Sequence, residues 1–184
     1  MIRLQSGATH DQQVRTQLEA ARGRVLTVAQ LHEHLYPTTD VDEVDLSDYL
    51  RALLAKLTES APAGIELRLE AGRVVVATDR AVPMALIVNE LVTNAIKHAH
   101  RDSGLTQVVV RVDSVADGGL HVSVTDDGVG LPACFDPGAT GASLGMRIIT
   151  GLIRQLGASL RWEDQGGGAR FMIDLPVTHP LGKR

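Results

Sequence analysis

The sequence predicts an α/β fold of two layers, a mixed but mostly antiparallel sheet with helices on one face, preceded by a helical segment. Two observations carry this. Residues 11–36 hold no proline and a single glycine, Gly23, and their apolar positions fall in alternating steps of four and three. From residue 61 onward, short alternating or apolar runs are punctuated by glycine and separated by two longer helical stretches. Helices laid on one side of a mostly antiparallel sheet is the simplest packing for that order.

In the first stretch Val14, Leu18, Ala21, Val25, Val28 and Leu35 mark the stripe, with His32 filling the one gap. Such a stripe is the seam of a helix packed along another helix in a bundle, or the inner face of a helix lying on its own domain. Pro37 stops the helix, and the acidic stretch 38–45 reads as a linker. A second helix starts behind Asp45 or Ser47 as cap and runs through Leu50, Leu53, Leu54 and Leu57. Residues 65–69 and 74–77 read as a hairpin around Ala71 and Gly72. Residues 80–100 are helical, with Leu86, Leu91, Val92, Ala95 and Ile96 on the buried side. Residues 107–113 and 120–126 are strands joined at 117–119. The stretch 127–143 contains four glycines and two prolines and reads as a mobile loop. A helix over 144–156 ends at Gly157, and 159–163 with 170–175 form a closing hairpin around three glycines, 166–168. The expected organisation is therefore a helical segment and connector over 1–58, an α/β domain over 61–177 and a tail over 178–184.

Composition narrows the function. The 184 residues carry 18 Lys and Arg against 22 Asp and Glu, a formal charge of −4, and the sequence pI is near 5.9. That balance gives no reason to expect nucleic acid, whose phosphates select clustered cations. With 44% apolar residues and a mean hydropathy of +0.04, the chain can bury a core and disorder is not expected. Aromatic residues are only 3%, so that core must be aliphatic. One cysteine, Cys134, excludes a disulfide framework, and no Cys/His spacing matches a zinc site. No apolar run approaches the roughly 18 residues of a membrane span, and the N-terminus has no secretory pattern. The expectation is a soluble, cytoplasmic chain without membrane contact through this segment.

Three segments carry the chemistry. In the helix 80–100, Glu90, Asn94 and Lys97 stand at i, i+4 and i+7, so a carboxylate, an amide and an ammonium share one stripe, flanked by Thr93 and His98. On an isolated helix such a stripe is an ordinary solvated face. Asp126-Asp127-Gly128-Val129-Gly130 closes an apolar strand. A D-x-G-x-G turn lets backbone approach a flat ligand, and a carboxylate there can accept from an exocyclic amine. Gly141-Ala142-Ser143-Leu144-Gly145-Met146 leads directly into a helix, whose first N–H groups make a site for phosphate. Neither a Walker loop nor a Rossmann G-x-G-x-x-G is present.

Taken together and in this order, the three segments resemble the GHKL ATPase/kinase superfamily with its Bergerat-type sandwich. Residues 89–99 (NELVTNAIKHA) are similar to its N box, Asp126 to Gly130 to its G1 box, and Ser143 to Met146 to its G2 box. Gly168-Ala169-Arg170-Phe171 followed by Leu175-Pro176 is similar to its closing strand. The front segment (2–5, 24–36 and 44–57) looks like the second bundle helix and connector of bacterial sensor histidine kinases related to the HWE class, which also have a short ATP lid.

The resemblance implies ATP and Mg²⁺ as cofactors and assigns roles by position. Asn94 would bind the Mg²⁺ that bridges the phosphates, Glu90 would stand at the phosphoryl-transfer site, and Lys97 would offset phosphate charge. Asp126 would read the adenine amine, with Gly128 and Gly130 admitting the base. Gly145 and Met146 would offer backbone N–H groups to phosphates, and His98, Ser143 and Leu144 complete the nucleotide-binding set. It also implies a homodimer through the helical segment and a response-regulator receiver domain as partner, whose Asp takes the phosphoryl group from a His. Ser143 and Ala169 depart from the usual glycine and threonine, and the W-x-E motif of the HWE class is absent. The phosphoacceptor would lie on a bundle helix upstream of residues 2–5, and His10, His32 and His34 do not stand in its context. Two alternatives share this resemblance, an anti-sigma serine kinase and a non-catalytic histidine-phosphotransfer adaptor.

Overall fold

The computed structural model describes residues 43–99, 105–115, 118–139 and 142–177. The seam helix expected over 11–36 and the tail over 178–184 lie outside the described residues. The chain divides into compact units at Met1–Asp40 and Val41–Arg184, and all of the described residues belong to the second.

Strand β1 (Glu43–Asp45) leads into helix α1 (Leu46–Ser60). Asp45 caps α1, its Oδ1 accepting from the N–H groups of Ser47 at 2.9 Å and Asp48 at 3.4 Å. Leu46, Leu50, Leu53 and Leu54 are buried, so α1 packs within this unit. Tyr49 joins them, and burial pushes its hydroxyl up to about 12. Strands β2 (Ile65–Ala71) and β3 (Val75–Ala77) follow, then helix α2 (Thr78–His98), strands β4 (Thr106–Ser114) and β5 (Leu120–Asp126), helix α3 (Leu144–Leu156), and strands β6 (Ser159–Asp164) and β7 (Ala169–Leu175).

The main sheet has the order β2-β4-β5-β7-β6, with β2 and β4 parallel and the other three pairings antiparallel. The expected hairpin between β2 and β3 does not form. Instead β3 pairs with β1 in a separate two-stranded sheet, while β2 crosses over through α2 to lie beside β4. The reason is the apolar set of β2. Its Ile65, Leu67 and Leu69 stand in register with Thr106, Val108 and Val110 of β4, and all three β4 partners are fully buried. The closing hairpin β6–β7 forms as expected, and α3 ends at Gly157 in the left-handed region with φ 61°.

One face of the sheet is the core: Val108, Val110, Val122, Val124, Phe171 and Ile173 are buried, with Met84, Ile87, Val88 and Leu91 of α2 and Ile149 of α3. The opposite face is charged. Arg111 pairs with Glu70, its Nε 2.9 Å from Oε2. Asp174 accepts from Arg161 at 2.7 Å, from Ser159 at 3.3 Å, and meets His121 Nδ1 at 2.7 Å. The hydrogen bond with His121 and then Arg161 hold the Asp174 carboxyl below its ordinary value. A lowered native value means stability that is present above the ordinary carboxylate range and lost as pH falls through the native value. Asp174→Asn is therefore expected to lower the melting temperature slightly at pH 7 and to flatten the acid side of the profile, the two proteins converging below about pH 4. An unchanged acid limb would show that the cluster contributes nothing measurable.

Candidate functional site

Between α2, the end of β5, the start of α3 and the segment joining them lies a cleft of about 700 Å³. Asn94 and His98 line it from α2, Asp126 from the end of β5, Gly130 from the turn after it, Ser143 and Met146 from the start of α3, and Ala169 and Phe171 from β7. Aliphatic groups complete the walls, among them Leu91, Ala95, Val124 and Leu131. An apolar slot with a few convergent polar groups is the usual form of a small-molecule site.

Asp126 is only 8% exposed. Its Oδ1 accepts from the backbone N–H of Gly128 at 3.0 Å and of Ala169 at 3.3 Å. Both bonds fix the carboxylate rotamer at the junction of β5 and β7. The two neighbouring glycines have a local function beyond ligand approach. A Cβ at Gly128 would sit 2.2 Å from the Ala99 carbonyl oxygen, and Gly130, with φ at +84°, turns against Asp164 and Gly168. Of the two, Gly130 borders the cleft and Gly128 packs beneath it.

Helix α2 spreads its polar stripe over three environments. Glu90 is buried, Asn94 is half-buried in the cleft wall, and Lys97 is exposed and outside the lining. Asn94 Nδ2 lies 3.6 Å from the thioether sulfur of Met146, a weak acceptor. With the nitrogen turned to the sulfur, the amide oxygen is the end presented away from it. At the start of α3 the Ser143 hydroxyl caps the helix by accepting from the Met146 N–H at 3.3 Å. Met146 thus donates its N–H to this cap and also lines the cleft. Leu144 and Gly145 occupy the first helical positions, where intrahelical geometry provides N–H groups with no partner of their own.

Among the described residues, no group of three or more His, Cys, Asp or Glu could hold a metal ion. Asn94 alone is a sparse donor set. That suits Mg²⁺, which keeps several waters and takes the rest of its shell from phosphate oxygens. The walls contributed by Leu131, Pro132, Cys134 and Phe135 escaped the motif reading. The one signal for them was a phenylalanine, one of two in the chain, inside a Gly/Pro-rich loop.

Residues 79–179 match the family described as histidine kinase-, DNA gyrase B- and HSP90-like ATPase, and residues 1–61 match a histidine kinase family. Blue-light-activated histidine kinase 2 of Erythrobacter litoralis is 30% identical over 183 residues, covering 97% of this chain and 52% of that protein. Sensor histidine kinase PdtaS of Mycolicibacterium smegmatis is 30% identical over 188 residues, 100% of this chain and 36% of its own length. The chain thus spans about half or less of these relatives. Among solved structures, the histidine kinase domain of the Erythrobacter litoralis EL346 blue-light activated kinase aligns with a TM-score of 0.79 at 28% identity, covering 89% of this chain and 82% of that one. No helix among the described residues is long and apolar enough to cross a membrane.

Proposed function

The chain belongs to the histidine kinase-, DNA gyrase B- and HSP90-like ATPase family, and on that premise we propose that it is the ATP-binding catalytic portion of a two-component sensor histidine kinase. The observation that carries this reading is Asp126, a buried carboxylate held by two backbone N–H groups at the floor of an apolar cleft whose far end is a helix start. Adenine enters the apolar slot and donates a hydrogen bond from its exocyclic amine to Asp126, while the phosphates extend toward Leu144 and Gly145.

Asn94 would hold Mg²⁺, which when bound would supply charge neutralisation to the phosphates. The Glu90 carboxylate stands one turn before Asn94 and supports the transfer site, and Lys97 adds positive charge at the outer end of the stripe. His98 and Ser143 border the nucleotide. In the reaction an imidazole nitrogen of the acceptor histidine attacks the γ-phosphorus, the bond to the β,γ-bridging oxygen breaks, and ADP leaves with that electron pair. The ring loses its proton to solvent, and the phosphoryl group then passes to an aspartate of a response-regulator receiver domain. Positioning and charge neutralisation are the main demands of such a transfer. This portion works in the cytoplasm, and the intact protein dimerises through the segment that matches the histidine kinase family, within residues 1–61. The histidine kinase match over 1–61 favours this reading over a serine kinase or a phosphotransfer adaptor.

Calorimetric titration with ADP, with and without Mg²⁺, tests it. The expected result is micromolar binding tightened by Mg²⁺, with the tightening lost in Asn94→Ala and Mg²⁺-free affinity little changed. Absence of binding at millimolar nucleotide would refute the reading.

A further inference from the structure

The chain holds one tryptophan, two phenylalanines and two tyrosines, and three of these five rings meet at one place. Phe135 stands edge-on to Trp162, with centroids 6.2 Å apart at 74°, and edge-on to Phe171, 5.8 Å apart at 75°. Trp162 and Phe171 are direct partners across β6 and β7, so both side chains share the helix-bearing face of the sheet. Phe135 and Phe171 line the cleft, whereas Trp162 does not.

The stretch carrying Phe135 has no regular structure of its own. Its backbone is held by short turns, Phe135 N–H to Pro132 O at 2.9 Å and Ala139 N–H to Asp136 O at 3.2 Å. Turns of this kind fix local shape but do not attach the segment to the sheet. Attachment comes from the β6–β7 hairpin at two points: the close packing of Gly130 on Asp164 and Gly168, and the ring contacts of Phe135. Trp162 is 38% exposed on the edge strand, an expensive place for the only indole in an aromatic-poor chain. Its position there is explained by the ring it supports.

We propose that Trp162 is a positioning residue for nucleotide retention, acting through Phe135, which it holds as the fixed wall of the cleft. The inference rests on the nucleotide reading of that cleft. With the wall fixed before binding, little ordering is left to the bound complex, so the support acts on release more than on association.

Stopped-flow measurement with N-methylanthraniloyl-ADP tests it in the wild type, Trp162→Leu, Trp162→Phe, Phe135→Leu and the double Leu variant, each first checked for a cooperative melt. Trp162→Leu is expected to speed release about threefold to tenfold with the association rate unchanged. Trp162→Phe restores slow release, and the double variant releases no faster than Phe135→Leu alone. Wild-type release from Trp162→Leu, or fully additive effects in the double variant, would overturn the inference while leaving the site reading intact. Failure of the wild type itself to bind the probe would remove both.

Discussion

Asp126→Asn is expected to weaken ADP binding by about 100-fold while leaving the fold in place. The substitution keeps size and shape, and the asparagine oxygen can still accept from the Gly128 and Ala169 N–H groups that hold the carboxylate at 3.0 and 3.3 Å. What changes is the face turned to the ligand. A carboxylate only accepts, whereas an amide that spends its oxygen on the backbone presents its NH₂ to the base. Donor then meets the exocyclic donor of adenine inside a slot walled by Val124, Leu91 and Phe171. A hydrogen bond to a charged group contributes roughly 1.5–3 kcal/mol, and leaving a buried donor unsatisfied costs a similar amount. Even the lower part of that sum reaches two decades in affinity, at about 1.4 kcal/mol per decade. The measurement is calorimetry with ADP alongside the melting temperature, which is expected to fall by only a few degrees. Retained affinity would mean that the base is not read by Asp126. A collapse in melting temperature would mean that the charge itself holds β5 to β7.

The parts of the fold legible in the sequence were those written in local chemistry. Asp45, offered with Ser47 as a helix cap by residue type, is the cap of α1 in the structure. Gly157 ends α3 for the conformational reason its identity suggests. The β6–β7 hairpin follows from two short runs flanking three glycines. The pairing of β2 was not legible, because its local signal and its partner disagree. Gly72 beside Ala71 reads as a hairpin turn, yet a Cβ at Gly72 would meet nothing within 4 Å, so the glycine marks open chain there and no tight reversal. The partner, β4, lies beyond an entire helix, and only apolar register across that distance selects it. The site divides the same way. Asn94, Asp126 and Met146 belong to motifs and meet in one cleft, whereas Phe135 contributes through contacts with residues 27 and 36 positions away, which no periodicity encodes. Motif order also hid the cap that Ser143 makes on the Met146 N–H.

Gly168→Ala should be the most destabilising single-methyl change in the described part of the chain, and it should abolish nucleotide binding through a residue that borders no ligand. Gly168 has φ at +134°, outside the range that L side chains adopt, and an added Cβ would lie 2.0 Å from the Asp126 carbonyl oxygen and 2.9 Å from its carbon. Both neighbours are backbone, so no rotamer can relieve the contact. Strain at such a φ is about 1–3 kcal/mol, and overpacking in a buried place adds about 1–3 kcal/mol. For a chain of this size the sum corresponds to a fall of roughly 10 °C in melting temperature. The displaced strand is the one that pins the site. Ala169, the next residue, donates its N–H to Asp126 Oδ1, and Gly168 accepts from Gln165 to close the hairpin at 2.9 Å. Moving β7 away from β5 therefore turns the carboxylate out of place before the fold is lost. Gly151→Ala supplies the contrast. That glycine lies within α3 with nothing within 4 Å of an added Cβ, and alanine there should raise stability by about 0.5–1 kcal/mol through helix propensity alone. Thermal melts of the two variants beside ADP titration check the pair. If Gly168→Ala keeps wild-type affinity, the close approach of β7 to Asp126 is not what orients the carboxylate.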